Sequence, residues 1–336
     1  MGNLITGLFV LLAGTTVALA QKPVKKIPRS KLPFVERNIY INPKSGFVRG
    51  TLSFPKGKDT ALACLIIPGS GPTDRNGNNG NIFITDSYKM LSDSLASRGF
   101  AVIRYDKRGV GESRDADFSE YNLKFEDMVK DASRWIKDMK QNKRFSKVVV
   151  IGHSEGSLIG MLAADTTGAD AFISLAGPSV SADELILSQL KTQQLTIYEE
   201  SERIIKKLKD GERVDTISPL LHAVFRPGVQ NYLKSWFAYN PSEKIQNLQI
   251  PVLIVQGTTD IQVQTSEAYA LKNAKSDATL LIIKGMNHIL KQAPEDRNLN
   301  IMTYYNKELP LHPELVPGIV DFLKKVELTP IIKKTP

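Results

Sequence analysis

An α/β architecture is the fold class this sequence predicts: a mainly parallel β-sheet flanked by helices and carrying one helical cap insert. Three observations predict it. Short apolar, β-branched runs alternate with helix-periodic segments, the pattern of a parallel sheet covered on both faces. The alternation stops once, between Ser181 and Leu248, and then resumes. The run Val148–Ile151 passes into Gly152-His153-Ser154-Glu155-Gly156, a Gly-x-Ser-x-Gly turn between a buried strand and an apolar helix.

Taken in order, residues 1–20 carry no charged side chain, and Leu8–Ala13 is apolar. Ala18-Leu19-Ala20 has the form of a cleavage site, so the expectation is a secretory signal peptide cut after Ala20. That implies a periplasmic or secreted protein with no stable membrane span, since the apolar run is too short for one. Residues 21–33 are rich in Lys and Pro and read as an extended lead-in. Two short strands are expected near Arg37–Ile41 and Phe47–Phe54. Ala61–Ile67 reads as a buried strand, Ser87–Ser97 as a helix ended by Gly99, and Ala101–Tyr105 as a strand. Phe125–Met139 places Met128, Ala132, Trp135 and Ile136 on one helical face. Ala171–Ala176 is the next strand.

After the mostly helical stretch, Val252–Val255 and Thr279–Ile283 read as strands. Helices are expected near Ser266–Asn273 and over Leu315–Lys325. The expected organisation is therefore a core of residues 34–180 and 249–328, a cap of residues 181–248 over the strand C-terminal ends, and a tail from 329 to 336.

The net charge of +9 arises from 44 Lys and Arg against 35 Asp and Glu. The basic clusters are not interleaved with aromatics and match no nucleic-acid motif, so no nucleic-acid partner is expected. A single cysteine, Cys64, excludes an internal disulfide, and its apolar neighbours make it a core residue. The His, Cys and carboxylate spacings form no metal cluster, and no cofactor is called for. No sequence signal bears on oligomeric state.

Ser154 is the candidate nucleophile. A serine hydroxyl needs a base, and the base needs an orienting acid. Of the four histidines, His153 lies within the turn itself, His222 in the insert and His312 in a Pro-rich loop. His288 follows the strand Leu280–Ile283 and is the candidate base. Asp260 follows the strand ending at Val255, in Gly257-Thr258-Thr259-Asp260, and is the candidate acid. An oxyanion hole needs two N–H groups near the nucleophile. Backbone N–H of Glu155 and of Ser70, in the Gly-rich loop after Ile67, are the candidates.

These segments together resemble the α/β-hydrolase family across nearly all of the chain after residue 20. The Gly-x-Ser-x-Gly turn, Gly257-Thr258-Thr259-Asp260, Gly285-Met286-Asn287-His288 and the Ser…Asp…His order all fit that pattern. Asp106-Lys107-Arg108-Gly109-Val110-Gly111-Glu112-Ser113 resembles the D-x-R-G-x-G-x-S turn of many members and reads as structural. Pro68-Gly69-Ser70-Gly71-Pro72-Thr73-Asp74-Arg75 is similar to a bacterial branch of secreted esterases and serine-aminopeptidase-like hydrolases. Pro68 stands where many members have histidine, which leaves the Ser70 donor intact.

The resemblance implies acyl transfer by a serine hydrolase, foremost a carboxylic ester hydrolase on small or medium esters. The alternative is a peptidase, aminopeptidase or amidase with the same triad, and then acidic residues of the insert such as Glu184, Glu199, Glu200 and Glu202 would bind an amino terminus. A non-catalytic binding protein is the third reading. Phe225, Arg226, Trp236 and Tyr304 are the candidate substrate contacts. Phe225 and Trp236 equally suit the packing face of the cap, and Arg226 suits either carboxylate binding or a tie that holds the cap down.

Overall fold

The computed structural model describes residues 29–42, 46–80, 82–114, 119–191 and 195–328. The expected signal peptide, residues 21–28 of the lead-in and the expected tail lie outside the described residues. Eight strands form one sheet: β1 (Phe34–Ile41), β2 (Val48–Pro55), β3 (Ala61–Ile67), β4 (Ala101–Tyr105), β5 (Phe145–His153), β6 (Ala171–Leu175), β7 (Val252–Gly257) and β8 (Thr279–Ile283). Their spatial order is β1-β2-β4-β3-β5-β6-β7-β8. The pairs β1/β2 and β2/β4 are antiparallel, and every pair from β4/β3 to β7/β8 is parallel.

Period-two alternation splits the central strands between two cores. On β3, Ala61, Ala63, Leu65 and Ile67 face one core while Leu62, Cys64 and Ile66 face the other. Both faces of such a strand are buried, which is why Ala61–Ile67 is continuously apolar. Burial pushes the Cys64 thiol up to about 12, so it stays an inert thiol. One face is covered by α2 (Phe125–Gln141), α3 (Glu155–Thr167) and α9 (Thr265–Ala274). The other is covered by α1 (Ser87–Ala96) and α11 (Leu315–Lys325). On α2 the buried residues Met128, Ala132, Trp135, Ile136 and Met139 form the expected stripe.

Between β6 and β7 lie α4 (Ala182–Leu190), α5 (Leu195–Lys209), α6 (His222–Phe225), α7 (Gln230–Phe237) and α8 (Pro241–Gln246). The first four are the cap. In contrast, α8 packs on α3 and α9 and belongs to the helix layer of the core. Its Ser242 N–H and hydroxyl both donate to Ser179 O, at 3.1 and 2.8 Å. Asn240 ends the cap: its Oδ1 accepts the Ser242 N–H at 2.9 Å and so starts a new helix. Residues 181–248, read from the sequence as the insert, thus include α8, because an amphipathic pattern does not say which layer a helix joins. A further element is α10 (Arg297–Met302), a six-residue helix absent from the sequence reading. It is too short to show periodicity, and its start is set by the Asp296 side chain accepting Leu299 N–H at 2.9 Å.

Candidate active site

Strand β5 ends at His153 and α3 begins at Glu155, so Ser154 alone makes the reversal. Its backbone sits at φ 55° and ψ −123°, a conformation that L-residues adopt at a cost and that surrounding structure must hold. Two glycines permit it. A Cβ on Gly152 would lie 2.7 Å from the Gly156 carbonyl carbon, and one on Gly156 would lie 2.6 Å from Pro68 O. The elbow is thus wedged against the end of β3, which brings the Gly-rich loop beside Ser154.

Asp260 and His288 leave the C-terminal ends of β7 and β8. His288 Nδ1–H donates to Asp260 Oδ2 at 2.8 Å, and both side chains are buried. Asp260 Oδ1 also accepts the N–H groups of Gln262 and Val263 at 2.8 and 3.0 Å, and Oδ2 accepts Gln256 Nε2 at 2.9 Å. Burial pushes the Asp260 carboxyl up, but the His288 ring and these donors outweigh it, and the net shift is downward. Asp260 is therefore ionised and fixes the His288 tautomer that leaves Nε2 as the basic nitrogen.

His153 has a different duty. Tyr88 Oη donates to its Nδ1 at 2.7 Å, and its Nε2–H donates to the His288 carbonyl at 2.8 Å. Burial first, and the His288 ring second, lower its pKa to about 3, so it stays neutral. The Tyr88 oxygen in turn accepts the Gly69 N–H at 3.0 Å. One chain of hydrogen bonds thus ties the loop after β3, the elbow and the His288 loop.

That chain commits the Gly69 N–H elsewhere. Among the described residues no turn or loop hydrogen bond engages the Ser70 N–H or the Glu155 N–H, the two donors that the sequence suggests for an oxyanion hole. The turn after β4 is held by charge: Asp106 accepts Arg75 Nε at 3.0 Å and Nη2 at 2.7 Å, and Arg108 grips Asp131 at 2.8 and 2.6 Å. Among the described residues no group of three or more His, Cys, Asp or Glu is arranged to hold a metal, and no helix is long and apolar enough to cross a membrane.

Ser154, Ser70 and Glu155 share a cavity of about 60 Å³ with Leu185 and Ile186 of α4 and Tyr232 and Trp236 of α7. Of the four substrate-contact candidates, Trp236 lines this cavity. Phe225 does not: it is fully buried in the hydrophobic core. Arg226 does not either. Its Nε and Nη2 bind the Glu120 carboxylate at 3.1 and 2.5 Å, so of its two readings the structure shows the tie that holds the cap down. Tyr304 is buried behind Gln262, whose Nε2 donates to the Tyr304 oxygen at 3.2 Å while Gln262 itself lines the cavity. Sequence reasoning missed Leu185, Ile186, Gln189 and Gln262. Apolar helical spacing in α4 was the only signal available for the first two, and Gln262 lies two residues after Asp260.

A serine raised on an elbow, an imidazole oriented by a buried carboxylate, and two candidate N–H donors are the parts of acyl transfer. Residues 79–226 match the family model described as serine aminopeptidase, S33. Esterase EstD of Thermotoga maritima is 28% identical over 264 residues, covering 76% of this chain and 60% of its own. The chain thus spans about 60% of that relative's length. Est1E from Butyrivibrio proteoclasticus, solved with ferulic acid, superposes with a TM-score of 0.59 at 20% identity, covering 85% of this chain and 99% of its own. The Pyrococcus furiosus esterase PF2001 gives 0.57 at 13% identity, covering 93% and 99%. With the strand order above, these likenesses define the fold, which is that of the α/β-hydrolases.

Proposed function

We propose that the protein is a serine hydrolase that cleaves small carboxylic esters through an acyl-enzyme. Ser154 Oγ attacks the ester carbonyl while His288 Nε2 takes its proton. Asp260 stabilises the imidazolium, and the N–H groups of Ser70 and Glu155 stabilise the oxyanion. The imidazolium then gives its proton to the leaving alkoxide, and water, activated by the same nitrogen, releases the acid. The observation that carries this reading is the His288–Asp260 pair at 2.8 Å, held by the same loops that meet the Ser154 elbow. The esterase relatives support the ester class.

The S33 match raises the aminopeptidase reading, which needs a carboxylate free to hold an amino terminus. Glu155 is the acidic side chain that lines the cavity, and it is engaged by Lys107 and Tyr232. Glu184, Glu199, Glu200 and Glu202 do not line it, and Glu200 accepts the Ser218 N–H at 2.8 Å. Short-chain p-nitrophenyl esters are therefore expected to be cleaved far faster than aminoacyl p-nitroanilides, and the reverse preference would replace the ester reading with the peptidase one. The charge-free first twenty residues support export, which periplasmic or secreted recovery of the expressed protein with Gln21 at its N-terminus would test.

A further inference from the structure

Lys107 sits in the turn after β4, between Asp106 and Arg108, whose partners are structural. Its own contacts lead to the reaction centre. Nζ donates to Gly69 O at 2.6 Å and lies 3.4 Å from Glu155 Oε2. Both side chains are buried. The other Glu155 oxygen, Oε1, accepts the Tyr232 hydroxyl of α7 at 2.6 Å. A polar path therefore runs from the cap through Glu155 and Lys107 to the carbonyl that precedes Ser70.

That carbonyl sets where the Ser70 N–H points. In a trans peptide the C=O of one residue and the N–H of the next lie in one plane and point in opposite directions, and no cis bond occurs among the described residues. Gripping Gly69 O therefore aims the Ser70 N–H the other way. The neighbouring groups are pinned as well: the Gly69 N–H by Tyr88 at 3.0 Å, and Ser70 O by Thr73 Oγ1 at 2.8 Å. A buried ion pair is a poor source of stability, since an apolar pair of similar volume is often as good or better. Burial lowers the Lys107 pKa, opposed by Glu155, so the pair is held at a cost.

We propose that Lys107 is a positioning residue that aims the Ser70 N–H at the oxyanion, and that Glu155 and Tyr232 couple this aim to the seating of the cap. The inference rests on the ester-hydrolase reading and assigns the turn after β4 a part in it. An N–H aimed at an oxyanion acts in the transition state more than in the substrate complex. Loss of the aim therefore lowers kcat and leaves KM nearly unchanged.

The test is steady-state hydrolysis of p-nitrophenyl acetate by the whole protein, with thermal melts alongside. The variant is Lys107→Met with Glu155→Gln, which leaves no lone buried charge. Its kcat is expected to fall about 10- to 100-fold, a fraction of the effect of deleting an oxyanion donor outright, with KM within about threefold. Tyr232→Phe keeps the ring and the Lys107 grip, and is expected to lower kcat about 3- to 10-fold at unchanged KM. A double variant with kcat within about twofold of wild type, or with KM rising as kcat falls, overturns the positioning role. Unchanged kcat in Tyr232→Phe overturns the coupling to the cap, and stands as the deciding result if the double variant does not fold. Wild-type protein inert toward esters would overturn the ester reading and this inference together, whereas active wild type beside an unaffected double variant overturns the inference alone.

Discussion

Below Ser154 the cavity is walled by the segments that follow β3, β5 and β7, and above it by α4, α6 and α7 of the cap. The lower wall, with Ser70, Ser154, Glu155 and Gln262, rests on a polar and closely partnered layer: Asp260 accepts four hydrogen bonds, His153 has two partners, and Gly69 is held at both its N–H and its carbonyl. The upper wall is Leu185, Ile186, Val224, Leu233 and Trp236, and it reaches the lower wall through the Tyr232 hydroxyl. The difference separates two tasks. Preorganised dipoles at strand ends serve the reaction and tolerate little change, while apolar side chains on a cap serve selection and can be exchanged for others of different volume.

Substitutions in the lower wall should have the largest effects. Asp260→Asn keeps the shape but loses the charge and the tautomer control, and kcat for p-nitrophenyl acetate should fall about 1,000- to 10,000-fold with little change in KM. A fall of less than tenfold would mean that Asp260 does not orient the base. Gly156→Ala drives a Cβ to 2.6 Å from Pro68 O, so the elbow must shift. Activity should be lost together with about 1–3 kcal/mol of stability in urea titrations, and a variant with wild-type stability would show that the elbow is looser than described.

Trp236→Ala in the upper wall should act differently. It should raise the ratio of octanoyl to acetyl ester kcat/KM about 10- to 100-fold, with acetyl turnover preserved. An unchanged ratio would move selection away from the cap.

The last effect concerns pH. His153 is held at a pKa of about 3 in the folded protein against an ordinary value of 6.5, so the unfolded chain takes up its proton first. Its contribution is complete above about pH 6.5 and is lost as the pH falls toward 3, by up to ~1.4 kcal/mol per pH unit. Asp260, shifted downward, adds its own loss only below the ordinary carboxylate range. His153→Gln should flatten the urea midpoint against pH between 6 and 4, and an unaltered slope would show that His153 is not the group responsible.

Much of the lower wall was legible in the sequence because it is local. Ala61–Ile67 and Ala101–Tyr105 are strands with the bounds their apolar runs suggest, since strand burial and composition coincide there, and Thr279–Ile283 keeps its bounds as a mostly half-buried strand. Ser154, Asp260 and His288 stand out because each follows such a strand by a few residues. The upper wall was not legible, because helical periodicity reports that a residue is buried without saying against what. Phe225 and Trp236 share one apolar pattern, yet Phe225 packs into the core and Trp236 faces the cavity. Lys107 and Tyr88 were hidden for another reason. Their partners, Gly69 and His153, are 38 and 65 residues away, and no local pattern encodes such contacts.

The most direct measurement joins chemistry to one residue: treat wild-type protein and Ser154→Ala with a fluorophosphonate, locate the adduct by peptide mass spectrometry, and assay both for p-nitrophenyl acetate hydrolysis. The expected result is one adduct on the peptide containing Ser154, none in Ser154→Ala, and a loss of kcat of at least about 10,000-fold. Labelling of a different residue, or hydrolysis by Ser154→Ala at the wild-type rate, would contradict the assignment of Ser154 as the nucleophile.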